Sequence, residues 1–396
     1  MKRRDFLQKA SLSAAGFASL KLNDPGLLSS QSNAGQSEKP KEAMKYRTLG
    51  KTGLKVTLMG FGAMITPDAQ LLYKAIRDYG VNYVDTARGY QGGQNEGLVA
   101  MGIGDKRKDM IIATKFGPRN DKSRIIESVE TSLNNLKTDY IDIIHLHGGS
   151  SKEDIMSPDV LEAMTQLKKD GKVRFFGTST HKNEAATVTA VAESNFYDMV
   201  LVKYNFMSPP ELTEAIKNAR AKGVGIVAMK IMAKSGKTAE GLNPFQSALR
   251  WVTDNPNVDT TIPSIKSFGE LDDNYKAVMA NSTWGDRKTL YQYGKSLEGE
   301  YCKWCGDCES TCPMGLKISE LNRALMYVEG YGEYELAKST YSSIPLSSNI
   351  SQCENCQSCT VSCPYGVNLK AKLERAVMEF GVKSVESESA ECRVQS

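Results

Sequence analysis

The feature that most constrains the fold is a regular alternation of short apolar runs and amphipathic stretches between residues 45 and 285. The runs, which read as strands, are Val56–Gly60, Val81–Asp85, Met110–Lys115, Tyr140–His147, Val173–Thr178, Met199–Tyr204, Gly225–Met229 and Val258–Ile262. The stretches that read as helices are Ala69–Tyr79, Ser123–Leu136, Val160–Lys169, Glu184–Glu193, Glu211–Lys222, Phe245–Thr253 and Glu270–Ala280. Near-continuous apolar strands indicate burial on both faces, as in a parallel sheet covered by helices. Eight such units predict an α/β fold of the closed (β/α)8 barrel type.

The main alternative is a doubly wound open sheet. That fold carries a Gly-x-Gly-x-x-Gly turn after its first strand. The stretch Gly60–Ile65 does not supply this turn, so the barrel is favoured. Before the first barrel strand, Tyr46–Val56 reads as a hairpin with a Gly-Lys-Thr-Gly turn.

Chain length and net charge restrict the domain organisation and the class of protein. A chain of 396 residues suits a barrel of about 250 residues with an additional domain. Fifty basic and 46 acidic residues give a net charge of +4, which is too balanced for a protein that binds nucleic acid by neutralising phosphates. No run of 18 or more apolar residues occurs, so no transmembrane helix is predicted.

Polar residues fall where the predicted barrel strands end. Asp85 closes the second run, Tyr90 follows in its loop, Lys115 closes the third, and His147 closes the fourth. Each has an ordinary alternative, such as a helix cap, a rim tyrosine or a solvated charge. Because the ends of neighbouring strands meet at one mouth of a barrel, we expect the four side chains to converge on a single active site.

Several stretches in this order resemble the aldo-keto reductase family over residues 45–281. They are Tyr46–Val56, Asp85–Tyr90 with Asn95–Glu96, Ala113–Lys115, Tyr140–His147, and Arg250–Val252 leading to Ile262–Pro263 and Asn274. The resemblance implies hydride transfer between a nicotinamide cofactor, NAD(P)(H), and a small carbonyl or alcohol substrate, which could be sugar-like. It implies that Tyr90 is the general acid, that His147 orients the carbonyl, and that Lys115, paired with Asp85, lowers the pKa of Tyr90. His145 shares a face with His147, and only the register of the family motif selects His147.

The cofactor contacts that the resemblance implies are Ser179, Lys230, Lys266 and Asn274. The sequence departs from the family pattern around them: Thr180 and Leu201 replace expected carboxamides, and no aromatic residue follows the seventh strand. Glu270 stands where a 2′-phosphate would need a cation, which favours NAD over NADP.

Two tight cysteine runs dominate the C-terminal region. They are Cys302, Cys305, Cys308 and Cys312 before Pro313, and Cys353, Cys356, Cys359 and Cys363 before Pro364. The doubled C-x2-C-x2-C-x3-C-P spacing is that of bacterial ferredoxins, in which the fourth cysteine of each run binds the other cluster. We therefore predict two [4Fe–4S] clusters, one held by Cys302, Cys305, Cys308 and Cys363, and the other by Cys353, Cys356, Cys359 and Cys312.

Zinc and disulfides are the alternatives for these cysteines. Zinc sites usually consist of two C-x2-C pairs separated by a longer stretch. Adjacent C-x2-C pairs make poor structural disulfides. Cys392 lies in a polar tail and has no predicted partner, and the tyrosines Tyr327, Tyr331, Tyr334 and Tyr341 are expected to pack around the clusters.

The first residues resemble an export signal. Arg3 and Arg4 precede Phe6-Leu7 and a mildly apolar stretch to Leu20, which is similar to a twin-arginine (Tat) signal peptide. A disordered basic tail is the alternative. The interpretation predicts export by the Tat translocon, which moves folded proteins, to the periplasm.

The predicted organisation is a signal peptide at 1–34, a linker at 35–44, the barrel at 45–285, a 4Fe–4S ferredoxin-type domain at 286–385 with a possible redox partner at its clusters, and a polar tail at 386–396. The alternative function is an exported electron-transfer or docking protein whose barrel does not catalyse a reaction.

Overall fold

Ten strands form two sheets in the computed structural model, which describes residues 42–118, 121–232, 244–356 and 358–381. The strands are β1 (Tyr46–Thr48), β2 (Lys55–Thr57), β3 (Phe61–Gly62), β4 (Tyr83–Asp85), β5 (Ile111–Phe116), β6 (Ile141–Leu146), β7 (Val173–Thr180), β8 (Met199–Lys203), β9 (Gly225–Met229) and β10 (Thr260–Thr261). β1 and β2 form an antiparallel hairpin, and β3 to β10 form a parallel sheet in sequence order.

The parallel sheet closes on itself. Isolated bridges join Met59 to Thr261 and Gly62 to Ser264, so the first and last strands of the sheet meet. A Cβ atom on Gly62 would lie 2.6 Å from the Ile262 carbonyl oxygen, so only glycine allows this close approach. The predicted (β/α)8 barrel is confirmed.

The apolar runs became strands because both of their faces are covered. Every residue of β5, β6, β8 and β9 is buried. One face of the sheet packs against the helices, and alternate residues such as Ile111, Ile143 and Leu201 fill the barrel interior.

The predicted first barrel strand begins too early. Val56 and Thr57, at the start of the run Val56–Gly60, pair with β1 in the hairpin, Met59 bridges to the last strand of the barrel, and the barrel strand β3 follows the run. A short apolar run cannot reveal by itself which partner its backbone will pair with.

The helices of the barrel are α1 (Ala69–Tyr79), α2 (Asn95–Ile103), α3 (Lys122–Leu136), α4 (Lys152–Ile155), α5 (Pro158–Lys169), α6 (Glu184–Ser194), α7 (Pro210–Ala221), α8 (Pro244–Asp254) and α9 (Phe268–Met279). Sequence signals fix several ends: the Asp68 and Ser267 side chains cap α1 and α9, and Gly80 ends α1 with φ +71°. The sequence pattern missed α2, because its apolar residues are not confined to one face: Val99 and Ile103 are buried but Met101 is exposed.

The hairpin closes the amino-terminal end of the barrel. Leu49 is fully buried among interior side chains. Gly50 has φ +48°, and a Cβ atom there would lie 2.3 Å from the Gly225 nitrogen. This end of the barrel is therefore packed, which leaves the carboxyl ends of the strands as the open mouth.

The C-terminal region (residues 297–381) has its own small core but belongs to the same compact unit as the barrel. It contains α11 (Ile318–Met326), a π-helical turn (Tyr327–Tyr331), α12 (Tyr334–Ser342) and α13 (Leu369–Phe380). Ahead of it, α10 (Trp284–Ser296) is joined to α8 through Asp286, which accepts hydrogen bonds from Ser247 and Arg250.

No helix within the described ranges is long and apolar enough to cross a membrane. The predicted signal peptide, most of the linker, the polar tail and Cys392 lie outside the described residues.

Candidate active site and cysteine centres

A cavity of about 650 Å³ opens at the carboxyl ends of the barrel strands. Its wall includes Asp85, Tyr90 and His147 from the first half of the barrel and the loops after β9 and β10. The C-terminal region completes the wall with Arg323, Tyr327, Gly330, Tyr331, Leu336 and Thr340. The cavity is therefore built jointly by the barrel and the cysteine-containing region.

The pleat of the strands brings together the four predicted active-site residues, which we call the tetrad: Asp85, Tyr90, Lys115 and His147. Side chains two residues apart in a strand lie on the same face. Tyr83 and Ala113 point into the barrel interior, so Asp85 and Lys115, two residues further along their strands, also point inward. Asp85 ends β4, and the neighbouring β5 carries Lys115. Tyr90 begins a 3-10 turn in the loop after β4, and His147 directly follows β6.

Asp85 and Lys115 form an ion pair that is almost completely shielded from solvent. The Lys115 ammonium group also donates a hydrogen bond to the Thr86 carbonyl oxygen at 2.6 Å. Burial raises the pKa of Asp85 and lowers the pKa of Lys115, and the attraction between the two charges opposes both shifts. The pair therefore holds the Lys115 amino group beside the cavity wall, of which Asp85 is a part.

Tyr90 lies next to both Lys115 and His147. The Lys115 Nζ atom is 4.8 Å from the centre of the Tyr90 ring, and the rings of Tyr90 and His147 meet edge to face with centres 5.8 Å apart. Burial, followed by the charge of Asp85, raises the pKa of Tyr90 well above its ordinary value. The expectation of a lowered pKa is therefore wrong: desolvation of the phenolate outweighs the opposing charge of Arg323, and Tyr90 is held as a neutral phenol.

The structure separates the two histidines of β6. His145 pairs in register with Lys115 and is fully buried, and neither of its ring nitrogens has a hydrogen-bond partner among the described residues. His147 lies one layer higher and lines the cavity. Burial, helped by the charges of Lys115, Arg323 and Lys230, lowers the pKa of His147 to about 3, so its imidazole is neutral.

The predicted cofactor residues do not all reach the cavity. Lys230, Lys266 and Asn274 line it, and the Asn274 Nδ2 atom is buried without a hydrogen-bond partner among the described residues. Lys266 also donates to the Tyr331 carbonyl oxygen and pairs with Glu333, both at 3.3 Å. Ser179 is not part of the cavity wall: its buried hydroxyl accepts a hydrogen bond from the Gly148 N–H at 3.0 Å.

Three cavity residues were missed by the sequence reasoning. His181 follows the end of β7, so the rule about polar residues at strand ends could have found it. Arg323 and Tyr327 are four residues apart, which is the spacing of one helix face, but nothing in the sequence shows that this face meets the barrel. Tyr327 and Tyr331 line the cavity, so the expectation that they pack around the clusters is wrong for these two.

The first cysteine group consists of Cys302, Cys305, Cys308 and Cys363. Burial and the neighbouring thiols of the other three raise the pKa of Cys308 to about 12. Backbone and side-chain donors point at the sulfur atoms: Trp304 N–H and Asn322 Nδ2 approach Cys302 Sγ at 3.4 and 3.5 Å. Hydrogen bonds of this kind tune the potential of iron–sulfur clusters.

The second group lines a cavity of its own. Cys312, Cys353, Cys356 and Cys359 surround a space of about 180 Å³ with an otherwise largely apolar wall. Burial and the other three thiols raise the pKa of Cys353 to about 11. Both groups combine three cysteines of one run with the fourth of the other run.

None of the cysteines within the described ranges forms a disulfide. Among the residues that the structure describes, no three His, Cys, Asp or Glu side chains are arranged to hold a single metal ion.

Comparison with known proteins agrees with this architecture. Residues 57–241 match the Aldo/keto reductase family, and residues 301–368 match the 4Fe-4S dicluster domain. An uncharacterized oxidoreductase of Bacillus subtilis, YqkF, is 32% identical over 223 residues, which are 52% of this chain and 71% of that protein. The chain therefore belongs to the aldo/keto reductase family.

Other relatives extend the comparison. L-galactose dehydrogenase of Arabidopsis thaliana is 26% identical and covers 64% of this chain and 95% of its own length. Aldo-keto reductase AKR11C1 of Bacillus halodurans superposes with a TM-score of 0.55 at 26% identity, covering 63% of this chain and 96% of its own. An aldo-keto reductase of Klebsiella pneumoniae, solved in complex with NADPH, has the same fold with a TM-score of 0.54 at 23% identity, covering 64% and 96%.

The two matched regions also define the domain order of this chain. This protein is an oxidoreductase whose aldo/keto reductase barrel is followed by a 4Fe–4S domain.

Proposed function

We propose that the protein transfers hydride between NAD(P)H and a small carbonyl or alcohol substrate, with Tyr90 as the proton donor and acceptor. The observation that carries the proposal is the convergence of Tyr90, His147 and the buried Asp85–Lys115 pair at one cavity. Carbonyl reduction needs a proton donor and a stabilised oxygen at the same point, and this arrangement supplies both.

Each residue has a distinct role in this proposal. Tyr90 is kept protonated by burial and can give its proton to the oxygen as negative charge develops there. The neutral His147 donates a hydrogen bond that orients the carbonyl, and Lys115 stabilises the phenolate that remains. Asp85 keeps Lys115 charged in a buried position. The nicotinamide, when bound, supplies the hydride.

The cavity suits such a cofactor. The unpartnered amide of Asn274 and the cation of Lys266 offer a donor and a charge for a nucleotide. Glu270 also lines the cavity and accepts a hydrogen bond from the Lys266 N–H at 2.7 Å. A carboxylate there disfavours a 2′-phosphate, so we propose a preference for NAD, in contrast with the NADPH-bound relative from Klebsiella.

We further propose two [4Fe–4S] clusters, one held by Cys302, Cys305, Cys308 and Cys363 and one by Cys312, Cys353, Cys356 and Cys359. The crosswise grouping of the thiols and the pocket among the second four support this assignment. The clusters would offer a site for a redox partner.

We also propose that the protein is exported to the periplasm, because Arg3 and Arg4 resemble the arginine pair of a Tat signal. A Tat route would let the clusters be inserted before transport to the periplasm, since that route carries folded proteins.

The test is an anaerobic assay of the cluster-loaded protein with NADH or NADPH and a panel of aldehydes and ketones, followed at 340 nm. We expect turnover in the wild type. The Tyr90→Phe variant should lose about 10²- to 10⁴-fold in kcat while keeping its iron content and its affinity for the cofactor. Unchanged turnover in that variant would reject Tyr90 as the proton donor. No turnover with any carbonyl and either cofactor would favour the non-catalytic alternative.

A further inference from the structure

Two cations from distant parts of the chain face the active-site cavity. Lys230 follows β9 in the barrel, and Arg323 lies on α11 of the C-terminal region. Neither residue belongs to the tetrad or has a role in the proposed proton transfer. Both lower the pKa of His147 through their charge, which places them near the point where the carbonyl would react.

Lys230 is held in position by aromatic groups. Its Nζ atom lies 4.7 Å from the centre of the Trp304 ring and donates a hydrogen bond to the Tyr327 hydroxyl at 3.4 Å. It pairs with no carboxylate among the described residues. Lys230 and Trp304 both have φ values in the left-handed region, +52° and +59°, and such backbone strain in non-glycine residues concentrates at functional sites.

Arg323 has hydrogen-bonding capacity to spare. One of its terminal nitrogens pairs with Glu320 at 2.7 Å, but its Nε atom is buried and has no hydrogen-bond partner among the described residues. Its charge acts on Tyr90, His147 and His181, and together with burial it lowers the pKa of Lys230 well below its ordinary value, a shift that an anion bound beside both residues would oppose. A buried guanidinium nitrogen without an acceptor is costly unless a ligand supplies one.

Among the described residues, no carboxylate of the cavity wall pairs with Arg323 or Lys230, and Glu320, which pairs with one terminal nitrogen of Arg323, is not part of that wall. Asp85 is bound to Lys115, and Glu270 lies on α9 with Asp273, where it accepts a hydrogen bond from the Lys266 backbone. Lys266 and Asn274, on the same side as Glu270, are the residues proposed for the cofactor. The charge of Arg323 acts instead on the two groups that would contact the reacting carbonyl.

We propose that Arg323 and Lys230 bind a carboxylate of the substrate, while Tyr90 and His147 contact its carbonyl. The substrate class is therefore an aldehyde or ketone that carries a carboxylate, such as an oxo acid or an acidic sugar derivative. This inference rests on the proposed function for the reaction itself. A guanidinium group is well suited to carboxylates because its donors match the two oxygens.

The test compares a charged and an uncharged aldehyde of similar shape, 4-carboxybenzaldehyde and its methyl ester, with the full-length, cluster-loaded protein. We expect the wild type to prefer the acid by at least about tenfold in kcat/KM. Arg323→Gln should lower kcat/KM for the acid by about 10- to 100-fold, mainly through KM, and should lower it for the ester by a clearly smaller factor, since the charge of Arg323 also acts on Tyr90 and His147. Arg323→Lys should recover part of the preference. Lys317→Gln is the matched control, because Lys317 precedes α11 and pairs with Glu309 away from the cavity.

Three results would overturn the inference: no preference for the acid, an equal loss for acid and ester in Arg323→Gln, or a weakened affinity of that variant for NAD(P)H. If the wild type turns over neither aldehyde, calorimetric titration with benzoate separates the two claims. Binding by the wild type that Arg323→Gln loses would support the anion site although the proposed reaction fails. No binding of benzoate by the wild type would contradict the anion site.

Discussion

At the scale of single residues, the cost of burying charge explains much of the active site. Asp85 and Lys115 lie almost fully out of solvent, where either charge alone would be strongly unfavourable. Their pairing leaves a fixed cation 4.8 Å from the Tyr90 ring. Partial burial at the cavity wall keeps Tyr90 and His147 neutral, which suits a proton donor and a hydrogen-bond donor.

Breaking this pair on one side should destabilise the fold. We expect Asp85→Asn to reduce the free energy of unfolding by about 3–5 kcal/mol, because it leaves the buried Lys115 without its counterion. The double variant Asp85→Asn/Lys115→Met removes both charges and should recover part of that loss. Thermal unfolding of the cluster-loaded proteins measures both. A double variant less stable than the single one would contradict the role of Asp85 as the counterion.

The pKa directions also predict the pH dependence of reduction. His147, with a pKa of about 3, stays neutral until the solution becomes strongly acidic, and Tyr90, with a raised pKa, stays protonated in alkaline solution. The active protonation state is therefore lost as the pH falls toward the pKa of His147 or the raised pKa of Asp85, and as it rises toward the pKa of Tyr90 or the lowered pKa of Lys115. We expect kcat/KM for reduction to be flat between about pH 5 and 9. A change in kcat/KM with a midpoint between about pH 5 and 9 that shifts in His147→Gln would show that His147 titrates in this range, and would contradict the prediction.

At the scale of elements, the sequence predicted most of what the strand pleat and the strand ends determine. The positions of Asp85, Lys115 and His147 followed from the ends of apolar runs, because a parallel barrel brings those ends to one mouth. The sequence failed where pairing partners decide the outcome, as in the shift of the first barrel strand to β3. It also failed for α2, whose buried side includes Asn95 and Glu96 and so gives no amphipathic pattern.

The crosswise pairing of the cysteine runs can be tested with paired variants. If Cys312 and Cys353 bind the same cluster, Cys312→Ser/Cys353→Ser should lose one cluster and keep about half of the iron, near four atoms per chain. Cys363→Ser/Cys353→Ser removes ligands from both clusters and should lose nearly all of it. Cys392→Ser is the control, with no expected change. Equal iron loss in the two double variants would contradict the crosswise assignment.

At the scale of the whole molecule, the main result that the sequence could not supply is the joint cavity. The cysteine runs predicted a ferredoxin-type domain, but the contact of α11 and the following π-helical turn with the barrel mouth depends on packing between residues about 100 positions apart, such as Lys230 and Tyr327. The first cysteine group adjoins this contact, because Trp304 lies between Cys302 and Cys305 and packs its ring against Lys203 and Lys230.

Transport of the whole molecule gives a further prediction. Replacing Arg3 and Arg4 together by lysine should leave the protein in the cytoplasm, since the Tat machinery recognises the arginine pair. Cell fractionation and immunoblotting measure the distribution, and Lys2→Arg serves as a control that keeps the pair. Unchanged export of the double variant would reject the Tat interpretation.

The most direct test of the account is to follow deuterium from the cofactor. The cluster-loaded protein is given NADH or NADPH labelled with deuterium at the transferable C4 position, together with a carbonyl substrate, and the alcohol is analysed by mass spectrometry. The account predicts one deuterium on the former carbonyl carbon, and formation of the labelled alcohol about 10²- to 10⁴-fold more slowly with Tyr90→Phe. Alcohol formed without deuterium from the cofactor, or formed equally well by Tyr90→Phe, would contradict it.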